Sequence, residues 1–220
     1  MEARNTRSFP RRPQALAKWA PEPVERGREK ILRAVDRIDW SKLDAQLAAH
    51  AGADEKERRD VSFIREFLRA HPGDAHLRSQ LAGHLTGSGF VLDATRTQLL
   101  LLHHGRLHRW LQPGGHGEGE TDPLQIALRE IEEETGLRDL LPLGEGLFDV
   151  DVHGIPARPG EPAHLHLDLR YAFVAPATAA PRLSHESRDL RWFPLEAPPP
   201  DADPSLRRAL RKLAAAAPLE

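Results

Sequence analysis

The chain of 220 residues contains no cysteine. That absence excludes a disulfide framework, a cysteine nucleophile and thiolate zinc sites. It also fits a reducing, cytoplasmic setting. Strong charge of one sign is missing as well. The formal net charge is -2, so no global basic field calls for nucleic acid or anionic lipid. No run of about 18 apolar residues occurs, which leaves nothing that reads as a membrane span. Met1 to Arg12 is polar and charged and has no apolar core of the kind a signal peptide needs.

Hydrophobic residues make up 40% of the chain, enough for a real core. The length allows one domain of ordinary size plus an extension, or two small domains. Arginine outnumbers lysine, and alanine and proline are plentiful; we read this as genome composition rather than function. No internal repeat is visible.

Residues 1–23 are Arg- and Pro-rich without apolar periodicity and are expected to form a flexible arm. Helical spacing then begins. Ile31, Leu32, Val35 and Ile38 form one stripe, and Val61, Ile64, Phe67 and Leu68 form another, entered through Asp54-Glu55. A third helical piece is expected over Ala75 to Leu81. Residues 24–82 therefore read as a helical N-terminal extension. From Gly83 the pattern changes. Strands are expected at Phe90–Leu92, Gln98–His103, Leu147–His153, His164–Ala175 and Leu190–Phe193, with a strong helix over Pro123–Thr135. Pro198 to Pro200 form a stiff linker, and Leu206, Leu210 and Leu213 mark a last helix. Strands on both sides of a central helix, with a terminal helix, predict a mixed sheet with helices packed on it, in residues 83–217.

The helix over Pro123–Thr135 is well specified. Asp122 is a natural N-cap, Pro123 occupies the first helical position, Gln125 completes a capping-box pattern, and Gly136 is a stop signal. At about 100° per residue, Leu124, Ala127, Leu128 and Ile131 share the core stripe. Glu130, Glu133 and Glu134 fall together on a neighbouring face. Such a trio repels itself, and it lies near the helix end where the macrodipole disfavours anions. Stability gives no reason for this arrangement. A hard divalent cation removes both penalties, because Mg²⁺ and Mn²⁺ take oxygen ligands. Glutamate runs on helices are usually solvated faces, but a solvated face needs no Gly114-Gly115 turn before it, no Arg129 beside the first glutamate and no Gly136 after it.

This segment resembles the Nudix box, G-x5-E-x7-R-E-U-x-E-E-x-G-U with U aliphatic. Gly115 matches the first position, Arg129-Glu130-Ile131 the central triplet, Glu133-Glu134 the acidic pair and Gly136-Leu137 the ending. One position departs: the early glutamate should stand at 121, which is Thr121, and Glu120 lies one residue before it. The loop therefore reads as shortened by one residue, and Glu120 or the Asp122 cap is expected to do the supporting work. Residues 83–195 are compatible with the family, and Trp110-Leu111-Gln112-Pro113-Gly114-Gly115-His116 is similar to a bacterial subgroup with a helical leader. The resemblance implies an α/β (α+β) fold, a Nudix α/β/α sandwich with a mixed sheet.

It also implies a metal-dependent hydrolase of a nucleoside diphosphate derivative, with Mg²⁺ or Mn²⁺ as cofactor. By that resemblance Glu133 and Glu134 are metal ligands, with Glu130 third and the Gly115 backbone close by, and Arg129 orients the carboxylates. Glu186, in Ser184-His185-Glu186-Ser187, is a candidate general base on a distant loop, weighed against an ordinary exposed acid. Gly114 lets backbone approach phosphates. His116, His164, His166 and Asp168 are expected to line the substrate cleft, the last three because alternation puts them on one strand face. H-x-H-x-D also fits zinc chemistry, but Leu169 and Arg170 follow where more ligands are needed, so the cleft reading is preferred. His153, after Asp149 and Asp151, is a candidate for the same cleft. For Trp110 and Tyr171, buried packing is the default. The partner implied is a small nucleotide substrate; a membrane is not, nucleic acid lacks a basic groove, and a homodimer is left open. The alternative reading is a non-catalytic, nucleotide-binding regulatory domain, whose usual sign, loss of the box acids, is not seen. An isoprenoid diphosphate isomerase is disfavoured because that chemistry uses a cysteine.

Overall fold

A computed structural model describes residues 38–184 and 187–216. The arm, the Ile31-Leu32-Val35 stripe, His185 and Glu186 lie outside the described residues. In chain order the elements are helices α1 (Ser41–Ala49) and α2 (Glu55–Ala70), strands β1 (Gly83–Leu92), β2 (Gln98–His104), β3 (Arg109–Leu111) and β4 (Gly114–His116), helix α3 (Pro123–Thr135), strands β5 (Leu141–Pro142), β6 (Asp149–Ile155), β7 (His164–Val174) and β8 (Ser187–Pro194), and helix α4 (Pro204–Ala216). No helix among the described residues is long and apolar enough to cross a membrane.

Three local readings are corrected. Ile38 sits in the approach to α1 rather than in a helix, and residues 75–81 form turns instead of a third helical piece. Strand β1 starts at Gly83, not Phe90. Gly83, Gly87 and Gly89 carry the signal of a turn in sequence, yet they lie inside a fully buried strand.

The sheet is mixed. Strand β1 runs parallel to β7 from Gly83↔Leu165 to Leu92↔Val174. The other edge of β1 pairs antiparallel with β4 and then with β2. Strand β2 continues to β3 and β8, while β6 and β5 pair antiparallel with β7 in succession. Alternation gives the central strands two faces. One carries Leu85, Val91, Leu167, Leu169 and Phe173, which join Ala127 and Ile131 of α3 and Ile64, Phe67 and Leu68 of α2 in one core. The other carries Phe90, Leu92, Leu99 and Leu101, covered by Leu206, Leu210 and Leu213 of α4.

Helix α3 lies unusually close to β1. A Cβ added at Gly87 would stand 2.4 Å from the Pro123 carbonyl and 2.8 Å from Ile126 Cβ, and one at Gly89 would stand 2.5 Å from Ile131 Cδ1. Only glycine admits this approach.

Helix α2 also completes the sheet. Its Asp54 cap accepts from Glu57 N at 2.8 Å. Glu57 then accepts the amide of Val150 at 3.1 Å, and Asp60 accepts that of Val152 at 3.0 Å. Both amides belong to the outer edge of β6, so two helix carboxylates stand where a neighbouring strand would. Cations balance these acids. Lys212 donates to Glu57 at 2.7 Å and to Asp149 at 3.1 Å. Buried Arg208 holds Asp149 through two bonds of 2.8 and 2.9 Å. Buried Arg170 reaches Asp168 at 2.7 Å and both Asp149 and Asp151 at 3.3 Å. Asp149 and Asp151 are thus held in a buried ion network.

Burial alone would raise the Glu57 carboxyl, but bonds from His50, Lys212 and the Ala53 amide outweigh it and hold it well below its ordinary value of 4.5. A carboxyl lowered in the folded state contributes stability above its unfolded pKa and loses it as pH falls. The difference in unfolding free energy between wild type and Glu57→Gln is therefore expected to be largest near neutrality and to shrink below about pH 4.3; urea titrations at several pH values would measure it, and a constant difference would contradict the network. Gly87→Ala is expected to cost about 1–3 kcal/mol by overpacking, measured by the same titration at neutral pH.

Candidate functional site

Helix α3 starts as its sequence requires and is then modified by the loop before it. Asp122 accepts from Leu124 N at 3.0 Å and Gly136 ends the helix at φ 69°. The reciprocal bond expected of Gln125 is made by Glu120 instead, whose carboxylate accepts from the amides of Thr121 at 2.6 Å and Asp122 at 2.8 Å. Between Gly117 and Glu120 the chain makes a tight turn, with Glu118 at φ 51°, Gly119 at φ 103° and Glu120 N bonded to Gly117 O at 2.9 Å. This turn lies where the box pattern reads one residue short.

The buried stripe of α3 is Pro123, Ile126, Ala127, Ile131 and Thr135, rotated from the Leu124–Leu128 stripe that spacing predicts. The rotation makes the three acids unequal. The Glu130 side chain is 14% exposed and that of Glu133 57%. Glu130 lies directly beneath Gly115, where a Cβ would stand 2.6 Å from its carboxyl carbon. Glu134 accepts the amide of Gly114 at 2.9 Å. Arg129 ties the set together: it donates to the His116 carbonyl at 2.5 Å and to Glu133 at 2.9 Å, and pairs with Glu130 at 2.8 Å. Burial, helped by the charges of Glu133 and Glu118 and opposed by Arg129, pushes the Glu130 carboxyl up to about 7.

Strand β4 separates this group from a second one. Gly115 stands opposite Gly87 and shares the α3 face, whereas His116 stands opposite Thr86 and faces the other way. There the His116 ring meets those of His84 and His166, with centroids 5.0 and 4.9 Å away. His164 stacks on His84 at 5.0 Å. Burial, with the positive fields of His116 and His164 and a weaker opposing backbone contact at Gln80, lowers His84 to about 4. Burial likewise depresses His166 far below its ordinary value, so both rings are neutral at pH 7.

The structure thus brings together Gly114, Gly115, Arg129, Glu130, Glu133 and Glu134, and on the opposite face of β4 it gathers His116, His164 and His166. Asp168 joins neither. It is buried, and its oxygens accept from Thr86 at 3.1 Å, Ser88 at 2.9 Å and Arg170 at 2.7 Å. Glu186 lies outside the described residues. Trp110 packs edge-on against Phe193 at 4.8 Å, and Tyr171 is buried. Sequence reasoning missed His84: it falls in the Gly-rich stretch read as a turn, and only its parallel pairing with His166 reveals it.

The chain was compared with known proteins. The family model described as NUDIX domain matches residues 83–213, more than half of the chain. A probable DHNTP pyrophosphohydrolase of Lactococcus lactis subsp. cremoris (strain MG1363) is 34% identical over 97 residues, 43% of this chain, and the match spans only 57% of that relative. Among solved structures, a NUDIX family hydrolase from Clostridium perfringens is 26% identical with TM-score 0.44, covering 60% of this chain and 97% of the other. A MutT NUDIX hydrolase from Burkholderia pseudomallei is 25% identical with TM-score 0.43, covering 59% of this chain and 97% of the other. With its box residues set as described around Gly114 and Gly115, the chain belongs to the Nudix family.

Proposed function

We propose that the chain is a hydrolase that cleaves the pyrophosphate bond of a nucleoside diphosphate derivative or a related organic pyrophosphate, using Mg²⁺ or Mn²⁺. The observation that carries this reading is the placement of Glu130 under Gly115, beside Glu134 at the Gly114 amide.

The residues fit a hard divalent cation. Their donors are carboxylate oxygens, and the Glu130 carboxyl is raised first by burial and then by the charges of Glu133 and Glu118, costs that a bound cation would offset. The three carboxylates do not meet at one point, which suits Mg²⁺, an ion that keeps several waters and needs only one or two carboxylates. Glu130, Glu133, Glu134 and the Gly115 backbone would hold it. When bound, the metal neutralises phosphate oxygens and acidifies the attacking water.

The remaining roles belong to the chain itself. Arg129 positions Glu130 and Glu133 and fixes the His116 peptide, and so sets the distance between α3 and β4. Gly115 leaves room for the Glu130 carboxylate and Gly114 for Ser88, so that β4 lies close to both α3 and β1. The Glu118–Gly119 turn sets the loop that would border the substrate. Because a relative carries the name DHNTP pyrophosphohydrolase, dihydroneopterin triphosphate belongs in the substrate panel beside nucleoside triphosphates, sugar nucleotides, ADP-ribose, dinucleoside polyphosphates and oxidised nucleotides.

Product release from one panel member, dependent on Mg²⁺ or Mn²⁺, is the expected result; tight nucleotide binding without product under either metal would replace the hydrolase by a regulatory domain. Glu134→Gln is expected to reduce turnover by more than ~100-fold, since outer-shell partners alone cost about 10–100-fold, with the circular dichroism spectrum unchanged. Unaltered turnover in this variant would remove the carboxylate assignment. Gly115→Ala forces Glu130 aside, and a displacement near 1 Å costs roughly 100-fold in kcat. Steady-state kinetics beside a thermal melt separates this loss from unfolding.

A further inference from the structure

We propose that His84, His116 and His166 form a binding site for a divalent transition-metal ion of the zinc type, separate from the carboxylates of α3. One ring nitrogen from each lies within 4.8 Å of the others, and among the described residues no other set of His, Asp or Glu converges in this way. His116 Nε2 and His166 Nε2 are 3.2 Å apart. Two nitrogens bound at 2.0–2.1 Å to one tetrahedral ion stand about 3.3–3.4 Å apart.

Burial supplies the second argument. His84 is 1% exposed, and neither of its ring nitrogens has a hydrogen-bond partner of normal geometry. Buried polar atoms are rarely left so, and each instance needs a reason. His164 adds a third. Its Nδ1 faces the Pro162 carbonyl at 2.9 Å, and a carbonyl only accepts, so Nδ1 carries the proton. Nε2 is buried and without a hydrogen-bond partner. Histidine ligands are usually oriented by such a bond from the other nitrogen. The His164 ring lies 5.0 Å from His84 and 5.2 Å from His166, beside the trio but outside the set of converging nitrogens.

The donor type selects the ion. Neutral imidazoles favour zinc, copper, nickel and cobalt, whereas Mg²⁺ prefers oxygen. The site also has a mechanical consequence. His84 and His166 are register partners on β1 and β7, and His116 belongs to β4, so one ion would clamp three strands. The His116 carbonyl is the atom that Arg129 grips from the opposite face. Metal at the histidines would therefore stiffen the peptide against which the carboxylate group is set. The role is structural and regulatory, and no chemical step is assigned to it.

The test uses the full chain, stripped with chelator and dialysed, in excess Mg²⁺ to fill oxygen sites. Co²⁺ serves as an absorption probe and Zn²⁺ is titrated by calorimetry. One equivalent is expected to bind, with the ligand-field bands of nitrogen-coordinated cobalt and a raised melting temperature. His84→Gln and His166→Gln are each expected to weaken binding by at least about 100-fold, while Glu134→Gln leaves it intact. If His84→Gln fails to fold, His116→Gln, at the half-exposed rim, carries the same expectation. Absence of Co²⁺ and Zn²⁺ binding, or binding that survives the histidine substitutions and disappears in Glu134→Gln, overturns the proposal. Loss of hydrolysis in Glu134→Gln with zinc binding retained separates this site from the catalytic reading.

Discussion

The contact between α3 and β1 governs the rest of the molecule. Side chains normally hold a helix and a sheet well apart. Here Gly87 and Gly89 remove them, and the Pro123 carbonyl and Ile131 settle almost onto the strand. That approach determines which residues of α3 are buried. It turns Ile126 and Ile131 inward, draws Glu130 after them and leaves Glu133 at the surface. It also brings the C-terminal half of α3 against β4, so that Glu130 fits under Gly115 and Glu134 reaches the Gly114 amide.

A second constraint acts from the far edge of the sheet. Strand β6 has one side paired with β7, and its outer amides need acceptors. Glu57 and Asp60 provide them from α2, at the cost of burying two carboxylates. Lys212, Arg208 and Arg170 balance that charge and link α2 and α4 to the two edge-side strands. Losing one partner from such a network is costly, because the others stay buried. Helices α1 and α2 accordingly belong to the same compact unit as the sheet.

Strand β4 has two chemically opposite sides. Gly115 faces the Glu130 carboxylate, and the histidine that follows faces nitrogen donors. A single peptide, whose carbonyl is held by Arg129, joins the two. Period-2 alternation makes this possible in three residues, since Gly115 and His116 must point to opposite faces. Hard and borderline ions would then sort themselves between the two sides by donor type rather than by distance.

Much of this was legible along the chain. Residues Asp122 to Gly136 declare a capped helix whose acids repel one another, because caps, repulsion and helix dipole are local effects set by neighbours within a turn. The strands with clear alternation, such as His164–Val174, were legible for the same reason. What sequence could not supply were quantities set by distant partners. Gly87 and Gly89 read as a turn because their purpose, admitting a helix some forty residues later, leaves no local trace. The roles of Asp149, Asp151 and Asp168 depended on Arg170 and Arg208 arriving from other elements. His84 acquired meaning only beside His166 and His116. Local periodicity and capping determined the helix, its acids and the family; the tertiary structure alone decided which acids are buried and which histidines meet, because burial and convergence depend on packing between segments far apart in sequence.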